Sequence, residues 1–256
     1  MKKSNTFVYE FEGNIYINLT NRCPNDCVFC LRRTSDGVGG AVLWLEREPE
    51  AKEVIEQLGV RSEELGIKDG SVVADELVGA DGNPPERKDY SRIAGGISTA
   101  PTGSNISNQS TVPHSSFLTP HFNEVIFCGF GEPTYRIDAL IAVAGYAHSI
   151  GLKTRLNTNG LANAIHGFDI VPKLKGVIDT VSISLNESSP ERYDAVCRPE
   201  FGLCAYGHIL DFAEKCVAAG IRTVLSVVDV IPPEEIEKCR ETAVRIGAEF
   251  RVRENL

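Results

Sequence analysis

Three cysteines near the amino terminus have the spacing of metal ligands. Cys23, Cys27 and Cys30 follow closely on the apolar alternation at 15–19. Thiolates are soft ligands for iron, and a cubane iron–sulfur cluster normally takes four of them. Because no fourth cysteine is close in sequence, one iron would stay open, and an open iron can bind a substrate or cofactor directly. The spacing therefore predicts chemistry at a metal more than electron storage.

The remaining cysteines show no repeated tight spacing. They are Cys128, Cys197, Cys204, Cys216 and Cys239. Free cysteine commonly packs as a small hydrophobe, so we expect these residues to be buried. Two alternatives stay open. One is an auxiliary iron–sulfur cluster built from some of the last four cysteines, and the other is a zinc site at the first three, closed by Cys128 or His121.

Composition indicates an enzyme-sized chain with one core. The chain has 256 residues, of which 42% are hydrophobic, and a net charge of −9. The negative charge argues against a general nucleic-acid partner. No basic-then-apolar leader precedes Asn14, and no segment approaches the roughly 18 apolar residues of a membrane span. We expect a cytoplasmic protein without a membrane partner, whose cysteines serve metal binding or catalysis instead of disulfides.

Strand-like and helix-like segments alternate along the chain. The predicted strands are 15–19, 124–128, 153–156, 180–185, 221–230 and 250–252. The predicted helices are 46–58, 137–149, 170–174, one opened by Pro190, 208–219 and one running from 232 to 246. Such alternation indicates βαβ units and a mostly parallel sheet. Six strands are too few for an eight-stranded barrel, so we predict an α/β fold of the partial (β/α)6 barrel type, with ligands at the carboxyl ends of the strands.

Residues 61–122 do not fit this alternation. The segment begins acidic, and its second half, 93–122, contains no Lys, Arg, Asp or Glu. That half is too poor in large apolar residues to fold alone. We predict an insertion that is either a disordered surface loop or a lid over the open end of the barrel.

The cysteine spacing, Cys-x3-Cys-x2-Cys with Phe29 before the last cysteine, resembles the signature of the radical SAM superfamily. The resemblance implies that Cys23, Cys27 and Cys30 hold a 4Fe-4S cluster, and that S-adenosylmethionine (SAM) binds the fourth iron. Phe29 would shield the cluster and pack near the adenine. It also implies an oxidoreductase that takes a hydrogen atom from an unassigned substrate through a 5′-deoxyadenosyl radical, and an electron donor such as flavodoxin or ferredoxin. No catalytic residue can be chosen from the sequence.

A second motif follows the predicted strand 124–128. Gly129, Gly131, Glu132 and Pro133 resemble the superfamily's Gly-Gly-Glu-Pro motif, with Phe130 in place of one glycine. The resemblance implies that this turn receives the methionine amino group of SAM. Glycine suits a position where the chain turns sharply and a ligand approaches the backbone. The alternative is an ordinary turn at the end of a strand.

Polar residues close the next two predicted strands. They are Asn157, Asn159, Ser182, Ser184 and Asn186. By resemblance they contact the ribose and carboxylate of SAM. Alternation along a strand puts Ser182, Ser184 and Asn186 on one face. The alternative is that these side chains only cap turns.

Four further runs resemble a narrower group, the TatD-associated radical SAM proteins. The runs are 17–27, 43–49, 193–202 and 250–253. The resemblance implies a single radical SAM core domain over 1–256, apart from the insertion, and a TatD-type metal-dependent hydrolase as partner. Trp44 and 197–199 are candidate substrate or partner contacts, and core packing is the alternative for Trp44. The competing functional class is a non-catalytic iron–sulfur or zinc protein that senses redox state or binds a partner.

Overall fold

A mostly parallel sheet forms the centre of the molecule. The computed structural model describes residues 2–64 and 124–254. The strands in this part are β1 (Val8–Phe11), β2 (Asn14–Ile17), β3 (Gly37–Val38), β4 (Ala41–Val42), β5 (Glu124–Phe127), β6 (Lys153–Thr158), β7 (Thr180–Ser184), β8 (Arg222–Val228) and β9 (Glu249–Arg253). Strands β3 and β4 form a small hairpin, and the other strands form one sheet in the order β1-β2-β5-β6-β7-β8-β9.

The six strands expected from the sequence are β2 and β5 to β9, and all of them run parallel. Strand β1 was not expected; it pairs antiparallel with β2 at one edge. The sheet begins at β1 and ends at β9 without closing. The predicted α/β fold with an open, partial barrel is therefore confirmed.

Helices connect the parallel strands. They are α1 (Ala51–Glu64), α2 (Ile137–Ser149), α3 (Ala162–His166), α4 (Val171–Leu174), α5 (Pro190–Cys197), α6 (Cys204–Ala218) and α7 (Pro233–Ile246). Helix α2 has the bounds expected from its apolar periodicity. Helix α7 starts at a proline and is followed directly by Gly247, which has a φ of +82°. Proline at the start and glycine just past the end are the favoured residues of a helix.

Helix α1 differs from the expected range of 46–58. The backbone N–H of Glu46 bonds to the carbonyl oxygen of Ser4 at 3.0 Å, and Pro49 disfavours helical geometry in the residue before it. The helix therefore begins at Ala51 and continues to Glu64. The first four residues of the predicted insertion thus belong to α1, and 65–122 lie outside the described residues. The insertion and the single-domain organisation stay predictions.

The core lies between the sheet and the helices. In β5 the side chains of Val125, Ile126 and Phe127 are almost fully buried, as expected for a parallel strand covered on both faces. Helix α6 packs against β7 and β8, and α7 packs against β8 and β9. Among the described residues, no helix is both long and apolar enough to cross a membrane. The loops that follow the parallel strands all leave from one edge of the sheet, where the candidate site lies.

Candidate active site

The three cysteines lie on the loop that follows β2. All three are partly exposed and free of disulfides. The thiol of Cys23 accepts a hydrogen bond from the backbone N–H of Asn25, and that of Cys30 from the N–H of Arg32. Burial raises the pKa of Cys23 to about 12 and also raises the pKa of Cys30. Such thiols are poor nucleophiles at neutral pH, but a metal cation converts them to thiolate ligands.

A single zinc ion at the cysteine loop would need a fourth ligand from another part of the chain. In the described part of the chain, no group of three or more His, Cys, Asp or Glu side chains could hold one ion. A zinc site needs its sulfur ligands about 2.3 Å from a single centre, whereas a cubane cluster offers each thiolate a different iron. His121, one of the suggested zinc ligands, lies outside the described residues, so the zinc alternative is not tested there.

A segment at the end of α5 holds the cysteine loop in place. Asn25 and Pro199 form an isolated antiparallel bridge. Three backbone hydrogen bonds extend it: Asp26 N–H to Cys197 O (3.0 Å), Val28 N–H to Val196 O (2.9 Å) and Glu200 N–H to Pro24 O (2.8 Å). Residues 197–199, which the sequence marked as candidate contacts for substrate or partner, thus have a structural role at the cysteine loop.

The turn after β5 is docked on the same loop. The backbone N–H of Glu132 donates to the carbonyl oxygen of Arg22 at 2.7 Å. A Cβ at Gly131 would lie 2.3 Å from the carbonyl oxygen of Thr20, and one at Gly129 would lie 2.1 Å from Oδ1 of Asn18. Both glycines are therefore required by close packing within the protein.

Phe130, which replaces a glycine of the motif, turns away from this contact. Its ring is buried with Tyr9 and Leu43 in a small cluster beside the main core. The ring packs edge-on against Trp44, with centroids 5.0 Å apart. Trp44 thus has a packing role, while its buried Nε1 has no hydrogen-bond partner in the described part of the chain. Edge-to-face packing accounts for a large residue at a position where the motif has glycine.

The Glu132 carboxylate is buried and fully engaged. Oε1 accepts hydrogen bonds from Thr134 N–H (3.2 Å), Thr134 Oγ1 (2.8 Å) and Thr158 Oγ1 (2.8 Å), and Oε2 accepts one from Asn159 N–H (2.8 Å). Burial raises the pKa of Glu132, although these donors oppose the shift. The side chain joins the ends of β5 and β6. Pro133 is also buried, at the start of a 3₁₀ turn over Pro133–Arg136.

Comparison with known proteins identifies the fold family. The model of the Radical SAM superfamily matches residues 118–246, just over half of the chain. The chain belongs to the radical SAM superfamily. The matched range begins after the cysteine loop, so Cys23, Cys27 and Cys30 support the assignment independently. No curated protein matches the chain in sequence.

Two solved structures with TM-scores above 0.5 share this fold. SuiB from Streptococcus suis bound to S-adenosylmethionine aligns with a TM-score of 0.55 and 14% identity, covering 94% of this chain and 40% of SuiB. A second SuiB structure aligns with a TM-score of 0.53 and 14% identity, covering 92% and 38%. A radical SAM methyltransferase from Sphaerobacter thermophilus gives a TM-score of 0.49 and 12% identity, covering 96% and 68%. The chain thus spans about two fifths of the length of SuiB.

The strand ends of this radical SAM chain place the predicted polar residues together at one edge. Asn157 on β6 is in register with Ser182 on β7. The Asn157 side chain bonds to the thiol of Cys128, while its buried Oδ1 has no partner among the described residues. Ser182 and Ser184 are half-buried on one face of β7. An unpaired buried acceptor is expensive, so this edge fits a ligand that brings hydroxyl or ammonium donors.

Like Glu132, the predicted SAM contacts Asn159 and Asn186 are engaged within the protein. Asn159 Oδ1 accepts from the N–H of Leu161 at 2.9 Å, and its Nδ2 lies 4.0 Å from the sulfur of Cys23. Asn186 Nδ2 donates to the sulfur of Cys197 at 3.7 Å, and its Oδ1 accepts from Arg253 at 3.1 Å. The predicted contacts to SAM stay predictions for both residues.

Arg253 is a site residue that the sequence analysis did not single out. It lies at the carboxyl end of β9, and burial lowers the pKa of its guanidinium. Nη2 donates to Ser184 Oγ (3.3 Å) and Asn186 Oδ1 (3.1 Å), and within the described ranges the buried Nε has no partner. Its position at the end of the last parallel strand is the signal that could have found it.

The residues present fit a cluster and SAM. Three thiols lie on a loop whose backbone is tied to the Gly131–Glu132 turn, and Phe29 is partly buried against the main core beside Cys30. The unsatisfied Oδ1 of Asn157 and Nε of Arg253 lie at strand ends on the carboxyl edge. A hydrophilic ligand next to the cluster would satisfy such groups.

Proposed function

We propose that this chain is a radical SAM enzyme that binds a 4Fe-4S cluster through Cys23, Cys27 and Cys30 and reductively cleaves SAM. When bound, the reduced cluster and SAM together supply a 5′-deoxyadenosyl radical that abstracts hydrogen from a substrate not yet assigned. The fold and the superfamily support the proposal. The chain spans about two fifths of SuiB. The proposed activity therefore depends on the residues of this chain and is not carried over from SuiB.

The chain's own residues would hold, orient and shield these groups. The 196–200 segment and the Gly131–Glu132 turn fix the backbone of the cysteine loop from two sides. The buried Glu132 carboxylate holds the ends of β5 and β6 together. The distance between the Gly131–Glu132 turn and Asn157 is therefore fixed. Phe29 packs against the core beside Cys30 and would limit access of water to a cluster. Protein groups of this kind tune a cofactor and exclude side reactions.

One observation carries the proposal: the cysteine loop and the strand-end turn are directly joined by the hydrogen bond from Glu132 N–H to Arg22 O. This contact brings the three thiols and the motif that resembles a SAM-binding turn to one place. Neither a zinc site nor an electron-transfer protein requires that juxtaposition.

The experiment is anaerobic reconstitution followed by electron paramagnetic resonance (EPR) of the dithionite-reduced protein, with and without SAM. We expect about four irons per chain, a spectrum that changes on addition of SAM, and formation of 5′-deoxyadenosine. An unchanged spectrum together with no 5′-deoxyadenosine would favour the non-catalytic iron–sulfur protein. About eight irons per chain would indicate an auxiliary cluster. Cys204, one of the suggested ligands of that auxiliary cluster, is exposed, whereas we expected it to be buried.

The narrower assignment and the partners are also proposals. The runs 17–27, 43–49, 193–202 and 250–253 support a TatD-associated radical SAM protein with a TatD-type hydrolase as partner. A flavodoxin or ferredoxin would donate the electron in a cytoplasmic setting, where reducing conditions disfavour disulfides; none of the eight cysteines forms one in this structure. Product analysis with and without the hydrolase, following deuterium from candidate substrates into 5′-deoxyadenosine, would test the partner and identify the hydrogen donor.

A further inference from the structure

Cys197 is a buried thiol on the segment that pairs with the backbone on both sides of Cys27. It is the last residue of α5 and is fully buried. An interaction with the Cys197 side chain, together with burial, raises the pKa of Cys27. The backbone bond from Asp26 N–H to Cys197 O, 3.0 Å long, fixes the two chain segments beside each other.

The direction of the hydrogen bonds around Cys197 follows from Arg253. A guanidinium can only donate, so the Asn186 oxygen must face Arg253, as its 3.1 Å contact shows. The amide nitrogen of Asn186 then faces Cys197 and donates to its sulfur at 3.7 Å. With its sulfur already accepting, Cys197 has its own S–H free to donate.

Binding of iron to Cys27 would make its sulfur the acceptor of that S–H group. A cysteine bound to iron is a thiolate and has no proton, so Cys27 can then only accept. Asn186 holds this arrangement through a left-handed backbone, with a φ of +58°, a region that asparagine tolerates better than most residues. Each group can therefore donate a hydrogen bond to the next: Arg253 to Asn186, Asn186 to Cys197, and Cys197 to Cys27.

We propose that Cys197 donates an S–H hydrogen bond to the Cys27 thiolate of the bound cluster, and that Asn186 and Arg253 fix the direction of this bond. The inference rests on the proposed function, since it requires the cluster. Hydrogen bonds to cluster sulfurs stabilise the more negative, reduced state, and so raise the reduction potential. Cys197 is thus a positioning and tuning residue, and Asn186 is its support.

The test is the midpoint potential of the reconstituted cluster, measured by EPR-monitored redox titration without SAM, with iron counted for each variant. Cys197→Ala removes the donor, and Cys197→Ser keeps one. Cys239→Ala is the matched control, because Cys239 is also fully buried but lies on α7. We expect a shift to more negative potential in Cys197→Ala, a midpoint at or near that of the wild type in Cys197→Ser, and no shift in the control.

Asn186→Asp is a second variant, for use if Cys197→Ala does not fold. It keeps the size of the side chain and an oxygen for Arg253, but it has no N–H for Cys197. Because the new carboxylate also adds a negative charge, we expect its midpoint to be more negative than those of both the wild type and Ser184→Asp, which adds the same charge at a residue bonded to Arg253. An unchanged midpoint would contradict the proposal.

Other outcomes separate this inference from the proposed function. If the wild type binds no four-iron cluster, both fail, and this is seen before any variant is made. If the wild type binds the cluster and cleaves SAM but Cys197→Ala has the same midpoint, only the inference fails. Loss of the cluster in both Cys197→Ala and Cys197→Ser would show that Cys197 is itself a ligand and would overturn the hydrogen-bond role.

Discussion

Glu132 and Arg22 join the two motifs of the site through a single backbone hydrogen bond of 2.7 Å. Arg22 directly precedes Cys23, the first of the three loop cysteines, and Glu132 belongs to the turn after β5. Their contact makes the position of the thiols depend on a turn more than 100 residues away in sequence. Changes on the turn should therefore be measurable at the cysteine loop.

Replacing Gly131 with alanine should disturb the cysteine loop. The new Cβ would lie 2.3 Å from the carbonyl oxygen of Thr20, and such overpacking costs roughly 1–3 kcal/mol. We expect Gly131→Ala to lower both the unfolding free energy and the iron content after reconstitution. Gly145→Ala is the control, since no atom lies within 4 Å of its added Cβ in α2, and alanine favours a helix by roughly 0.5–1 kcal/mol over glycine. Full iron content in Gly131→Ala would contradict the docking of the turn.

Glu132 should make stability depend on pH. Because burial raises its folded pKa above the ordinary value of 4.5, the folded state holds the proton more tightly than the unfolded state. Its contribution to stability is present at low pH and is lost as pH rises from about 4.5 through the raised pKa. We expect denaturant unfolding to show this decline in the wild type and not in Glu132→Gln. The exposed Glu191→Gln should keep the wild-type profile, and a profile unaffected by Glu132→Gln would be evidence against the raised pKa.

Cys30→Ala should abolish the cluster without unfolding the protein. Its thiol is partly exposed, so the loss of packing is small, but a cubane cannot be held by two thiolates. Iron analysis and visible absorption should show little cluster, and 5′-deoxyadenosine should fall to background. Cys204→Ala, which changes an exposed cysteine, should behave as the wild type. A cluster retained in Cys30→Ala would mean that another residue is the ligand.

Asn157→Ala should weaken SAM binding and leave the cluster in place. The buried Oδ1 has no partner among the residues described, and a hydrogen bond to a ligand there is worth about 0.5–1.5 kcal/mol, or roughly 2- to 13-fold in Kd. Equilibrium binding of SAM to the reconstituted protein would measure the change. The control is Asn14→Ala, at the amino end of β2 and therefore on the opposite edge of the sheet. Equal affinity in both variants would place SAM away from Asn157.

Regular elements were predictable where local rules act alone. Helix α2 follows from its apolar residues, and α7 follows from its prolines and Gly247. Strand β1 was missed because it is short and, among the described residues, pairs with β2 alone at the edge of the sheet. Helix α1 was placed too early because the bond between Glu46 and Ser4, distant in sequence, competes with the helix.

The sequence by itself predicted the class of chemistry and determined the alternation of strands and helices, since both the cysteine spacing and the alternation depend on local order along the chain. Only the tertiary structure decided what each polar group touches: that Glu132 is buried among donors, that Asn186 faces Cys197 and Arg253, and that residues 197–199 hold the cysteine loop. Hydrogen bonds between segments distant in sequence depend on how the strands and helices pack. These hydrogen bonds cannot be predicted from the residue pattern of any single segment.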